Sequence, residues 1–193
     1  MSSLIKTWDE LMGRLRQGRK IGYTGVEPVY YFIFPPSRLL YVKRQIPALT
    51  ARLRNDGWNV HLFSVAEHLL EIFRTSPLRK IWLAGDRKNP LDWEKTNKSL
   101  ANALETTGVL ESRLENKLEE LKGIKNALLI IIDVEALHPY TRFGVIEGKL
   151  QGKFHVPTVI LYPGESTGKT RLKFLKFYQE DGNYRSTHIV AEF

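Results

Sequence analysis

The sequence predicts an α/β fold in three layers, a mostly parallel central sheet with helices on both faces. Three observations lead there. Val29–Phe34, Ala127–Ile132 and Thr158–Tyr162 are continuous apolar runs, the pattern of strands buried on both sides. Stretches with helical spacing and charged outer faces lie between the strands, so the two element types alternate along the chain. The last two segments lack an intervening helix, which allows an antiparallel hairpin at one edge of the sheet.

The chain opens on an amphipathic helix within residues 1–20, where Ile5, Trp8, Leu11, Met12 and Leu15 share one face and Gly18 ends it. Lys6, Asp9, Glu10, Arg14 and Arg16 interrupt its apolar residues, so it is expected to be a helix and not a secretion signal. Val29–Phe34 is a buried strand stopped by Pro35-Pro36. Leu39, Val42, Ile46, Leu49 and Leu53 follow a helix face, with Ser37 as its expected cap and Pro47 as an expected kink or restart. Asn55-Asp56-Gly57 closes that helix. Trp58–Ser64 is a strand and Val65–Arg74 a helix. Ile81–Ala84 is too short to classify, and Gly85–Pro90 reads as a turn-rich loop. Helices ending at Gly108 and Gly123 follow, then the strand Ala127–Ile132 capped by Asp133. Phe143–Leu150 is helical, and Thr158–Tyr162 precedes a glycine turn. Leu172–Tyr178 and Tyr184–Glu192 complete the chain.

At 193 residues the chain is most economically one domain, residues 1–193. Its 42% apolar and 26% charged content is that of a globular protein, and no stretch has the ~18 apolar residues of a membrane span. The absence of cysteine excludes disulfide and thiolate chemistry and makes a reducing cytoplasm the expected location. A formal charge of +8 favours phosphates or an acidic partner. The cations are spread, however, with Arg38, Lys43, Arg44, Arg52 and Arg54 forming a run free of acids. Most of them read as solvated helix faces.

Pro163-Gly164-Glu165-Ser166-Thr167-Gly168-Lys169-Thr170 follows a strand and resembles a phosphate-cradling loop. The motif requires glycine where Pro163 stands. Pro163 removes a donor, Glu165 adds a carboxylate among the would-be phosphate ligands, and Arg171–Tyr178 lacks a clean helical pattern. Nucleotide binding through Gly164–Lys169 is therefore the alternative, with direct DNA binding as another. Asp133 at a strand end resembles a magnesium-holding aspartate, yet it lies upstream of the loop. The histidines at 61, 68, 138, 155 and 188 have no metal-ligand spacing, and no nucleophile elbow surrounds any serine. No metal or cofactor is expected.

Loops leaving the C-terminal ends of parallel strands converge on one crevice, here Pro35–Arg38, Asp133–Arg142 and Pro163–Lys169. Four segments, taken in order, resemble the BrxB family of BREX (bacteriophage exclusion) systems. They are Val29–Pro36, Asp133–Arg142 with its His138-Pro139-Tyr140-Thr141-Arg142, Leu161-Tyr162-Pro163-Gly164-Glu165 and Asp181-Gly182-Asn183-Tyr184-Arg185. The resemblance runs from about Val29 to Val190, and it makes the Lys169-Thr170 pair coincidental. It implies a non-catalytic cytoplasmic defence component acting beside a PglZ-like alkaline-phosphatase-fold partner, a DNA methyltransferase and a large ATPase, with DNA possible in the assembly. Arg38, Arg142, Glu165 and Lys169 are the candidate partner- or anion-binding residues. A buried Arg142–Glu165 ion pair holding the loops is the competing structural role for two of them.

Overall fold

The computed structural model describes residues 3–21, 27–168, 171–182, 186–191 and 193. The apolar run at residues 29–34 forms β1 (Val29–Phe34), and all six of its residues are buried. The other strands are β2 (Asn59–Ser64), β3 (Ala127–Ile132), β4 (Thr158–Ser166), β5 (Arg171–Phe174), β6 (Asp181–Gly182) and β7 (Thr187–Val190). Five of them lie in the order β2-β3-β4-β1-β7, each parallel to its neighbour. Their C-terminal ends therefore share one edge. β1 and β4 are in register from Val29 opposite Thr158 to Phe34 opposite Pro163.

Two-residue periodicity divides the sheet's side chains between two cores. Tyr30, Phe32 and Phe34 face one side together with Leu128, Ile130, Val159 and Leu161. That side is covered by α1 (Ser3–Ile21) and α2 (Leu39–Asn55), and Trp8 stacks on Phe32 with ring centroids 3.8 Å apart. Arg16 and Arg52 tie the two helices at their surface by pairing with Asp56 and Asp9. Tyr31, Ile33, Leu129, Ile131, Ile160 and Tyr162 face the opposite side. Over them lie α3 (Val65–Thr75), α6 (Val109–Leu121) and α7 (Phe143–Lys149), joined by Leu104 of α5 (Trp93–Thr107). The remaining helix, α4 (Arg79–Lys88), precedes α5 and buries only Trp82. The result is the three-layer α/β arrangement that the apolar runs imply.

Antiparallel pairing is present as well. β4 continues past the parallel sheet, placing Gly164 opposite Phe174, Glu165 opposite Lys173 and Ser166 opposite Leu172. β6 adds to the far side of β5. The final segment does not join this ladder but returns to pair parallel with β1, His188 opposite Tyr31.

Several local expectations need correction. α1 runs through Gly18 to Ile21, because tertiary burial of its apolar face outweighs one poor helix former. α2 does not restart at Pro47. Buried Val42, Leu49 and Leu53 hold both halves on the sheet, and the Thr50 hydroxyl donates to the Ile46 carbonyl at 2.8 Å. Ser37 does not cap α2, since Pro36–Arg38 forms a 3₁₀ turn and Arg38 takes the capping position. Gly85–Lys88 is the last turn of α4, not a loop.

Candidate functional site

β3 ends on Ile132, and Asp133 then takes φ +61°, a left-handed conformation that aspartate tolerates better than most residues. This bend starts the 3₁₀ turn Val134–Leu137 and holds the carboxylate at the C-terminal edge of the sheet. The Ser64 hydroxyl, at the end of β2, donates to Asp133 Oδ2 at 2.6 Å. Ser64 Oγ itself accepts from the Glu67 amide at 3.2 Å and so caps α3. Lys43 Nζ reaches across from α2 to Asp133 Oδ1 at 2.7 Å and also pairs with Glu135. Burial pulls the Lys43 ammonium down, but its hydrogen bonds to Asp133 and Glu135 outweigh that and hold it above the ordinary lysine value. A lysine kept charged in this way is a poor base, and its single charge is shared between the two carboxylates. The arrangement braces β2, β3, α2 and α3 together.

Sequence reasoning noticed Asp133 but missed Lys43, Ser64 and Glu135 as its company. A signal for Ser64 was present, because Ser64-Val65-Ala66-Glu67 has the spacing of a helix-capping box. Nothing local could announce Lys43, which meets Asp133 only through the fold.

A second cluster lies where β4 leaves the parallel sheet. Arg142 stands at the start of α7, with Nη1 3.6 Å from Asp181 Oδ2 on β6 and its guanidinium carbon 6.0 Å from the Tyr178 ring centroid. The Tyr178 hydroxyl is 2.6 Å from His138 Nδ1, and Phe177 stacks on Tyr178 while meeting His138 edge-on. Burial raises the Tyr178 hydroxyl above the usual tyrosine value, against a smaller opposing pull from Arg142. Glu165 lies 3.9 Å from Lys173 and 3.7 Å from Lys176. Arg142 and Glu165 thus do not form the expected ion pair with each other. Each is held by the antiparallel β5–β6 ladder through its own partner. Arg38 is elsewhere, 5.4 Å from the ring centroid of Phe193. Lys169 and Thr170 lie outside the described residues.

The segment expected to form the third crevice loop is a strand up to Ser166. A Cβ on Gly164 would stand 2.5 Å from the Lys173 carbonyl oxygen and 2.6 Å from Tyr162 Cε1, so glycine is needed for close strand packing. Beyond it, the Thr167 amide donates to the Arg171 carbonyl at 3.0 Å and β5 begins. A phosphate cradle depends on a strand, a curled loop and a helix in succession. Residues 163–166 and 171–174 supply strand and strand.

One buried carboxyl went unnoticed in the sequence. The Tyr31 hydroxyl, in the middle of β1, donates to Glu147 Oε2 on α7 at 2.5 Å. Burial pushes the Glu147 carboxyl up to about 7, with help from the nearby charge of Glu27 and against the hydrogen bond from Tyr31. Glu27 itself accepts from the Gly152 and Phe154 amides at 2.7 and 3.1 Å. Among the described residues, no group of three or more His, Cys, Asp or Glu is placed to hold a metal ion, and no helix is long and apolar enough to cross a membrane.

Comparison with protein-family models gives a match to BREX protein BrxB over residues 63–189 of the chain. That span holds Ser64, Asp133, Arg142 and Glu165, while β1, α2 and Lys43 precede it. Neither the curated proteins nor the solved structures give a match.

Proposed function

The chain belongs to the BrxB family, and from this component of BREX antiviral defence we propose a docking role without chemistry of its own: an adaptor for a larger subunit of the same system, a PglZ-like protein of the alkaline-phosphatase fold. The family match is the observation that carries the reading. The geometry supports it. Asp133 is paired with Lys43, Arg142 lies against Asp181, and Glu165 lies between Lys173 and Lys176, so the polar residues of the C-terminal edge work as braces. A rigid frame of this kind suits a protein that presents a surface. Nucleotide binding loses support because β4 continues through residues 163–166.

The test is capture of the tagged chain from cells that carry the complete defence system. Recovery of the PglZ-like subunit in stoichiometric amount is the expected result. Recovery of the chain with no other subunit of the system defeats the adaptor reading.

A further inference from the structure

α4 and α5 form a hairpin that departs from the body of the fold. It is held by Leu104 of α5, which is buried in the core, and by Trp82, the one buried residue of α4, which is edge-on to Phe73 of α3 and donates through Nε1 to the Ser99 hydroxyl of α5 at 2.9 Å. Asp86 accepts from the Thr96 hydroxyl at 2.6 Å, which fastens the two helices to each other. Below the hairpin a cleft of about 190 Å³ opens between Phe73, Pro77, Trp82 and Thr107.

Four large apolar side chains of the hairpin are exposed. Ile81 is 67% exposed, Leu83 40%, Leu91 90% and Trp93 65%. Single exposed apolar residues are ordinary, but four large ones gathered on one short hairpin mark a contact surface. They are set among cations. Arg79, Lys80, Arg87 and Lys88 lie on α4, Lys95 and Lys98 on α5, and all six are exposed. None of these six enters an ion pair in the described residues. Elsewhere on the surface, Arg16, Arg52, Arg113, Lys149 and Lys153 each have a carboxylate partner, while Arg44, Arg54 and Arg74 have none among the described residues. The hairpin therefore carries unburied apolar area beside these six cations, which stand outside any ion pair of the described residues and outnumber its acids Asp86, Asp92, Glu94 and Glu105.

We infer that the α4–α5 hairpin is the surface by which this chain docks its partner, and that the partner is a protein with an apolar groove rimmed by acidic side chains. The assignment rests on the docking role proposed above and gives it a location. The hairpin also lies inside the family match, residues 63–189. Charge complementarity selects the occupant. A second copy would set like charges face to face. A phosphate backbone would leave Leu91 and Trp93 without an apolar partner, and a uniformly anionic bilayer would bring Asp92 and Glu94, which flank Trp93, against negative charge, whereas a protein can set its acids opposite the cations and away from these two. An acidic protein rim is matched by the six cations, and its apolar centre by Leu91 and Trp93, with tryptophan the residue type most often dominant in such contacts.

The experiment uses the full chain, tagged, in cells with the complete system, followed by titration of the purified chain against the subunit it captures. Two variants are compared, Leu91→Asp with Trp93→Ala, and Arg87→Glu with Lys88→Glu. Because these side chains are exposed, both variants keep the wild-type melting temperature. Each weakens binding about tenfold or more, and wild-type affinity falls as salt is raised. Both variants binding the captured subunit at full affinity overturns the hairpin assignment and leaves the docking role standing. Capture of no subunit by the wild-type chain removes the docking role and the assignment with it. If the variants lose binding to duplex DNA, to phosphatidylglycerol vesicles or to a second copy while still holding the subunit, the occupant is wrong and the proposal falls.

Discussion

Replacing Gly164 with alanine puts the strand assignment of residues 163–166 under direct test. The added methyl carbon would stand 2.5 Å from the Lys173 carbonyl and 2.6 Å from the Tyr162 ring. Ordinary contact begins near 3.4 Å, so one of the two must move by close to an ångström. Neither moves freely. The carbonyl belongs to the β4–β5 ladder, and the Tyr162 ring is fully buried with its centroid 5.4 Å from that of Tyr31 and 5.5 Å from that of Phe174. Overpacking of this kind costs about 2–3 kcal/mol. For a chain of this size that lowers the melting temperature by about 5–10 °C. Gly13, exposed on α1 with open space around its Cβ position, is the control. Gly13→Ala should stabilise by about 0.5–1 kcal/mol, because alanine costs less chain entropy in a helix. Thermal melting and urea unfolding of the two variants read these values. If Gly164→Ala melts together with wild type, residues 163–166 do not form the close-packed ladder and the strand argument against a phosphate cradle collapses.

Glu147 makes stability depend on pH. Its carboxyl titrates near 4.5 unfolded and about 7 folded, so the native state holds the proton more tightly and stability falls as pH rises from about 4.5 to 7, by at most about 3 kcal/mol. Glu147→Gln should flatten that slope and exceed wild type in unfolding free energy at pH 8; an unchanged slope would place the titration elsewhere. At Asp133, asparagine keeps the left-handed bend and alanine does not, so Asp133→Ala should be about 1–2 kcal/mol less stable than Asp133→Asn in urea. Equal stabilities would dismiss the backbone's role there. Millimolar ATP with magnesium should leave the melting temperature where it is, and a rise abolished by Lys169→Ala would restore the nucleotide reading.

Much of the architecture was legible because burial on two faces leaves a simple record. Residues 29–34, 127–132 and 158–162 read as strands for the same reason that they form the centre of the sheet. Where one element obeys two masters, the record is ambiguous. Pro163 and Gly164 look like turn residues, yet Gly164 is there for the closeness of β5 and Pro163 pairs in register with Phe34. Pro47 looks like a helix stop, and the packing of Leu49 and Leu53 overrules it. The candidate site was less legible still. Lys43 and Asp133 are ninety positions apart in sequence, as their numbers show, and Tyr31 and Glu147 are separated by 116, so their pairing is a product of topology alone. Arg142 and Glu165 stood out as polar loop residues, but their partners, Asp181 and Lys173, sit in segments whose pairing only the fold reveals.

β4 is one unbroken backbone with two allegiances, two parallel neighbours, β3 and β1, at its start and a small antiparallel ribbon at its end. A tug on that ribbon is therefore delivered along the strand to the centre of the molecule and not dissipated in a loop. Whatever grips Phe177 also presses on a run of packed rings, Tyr178, Phe174 and Tyr162, that ends at Tyr31.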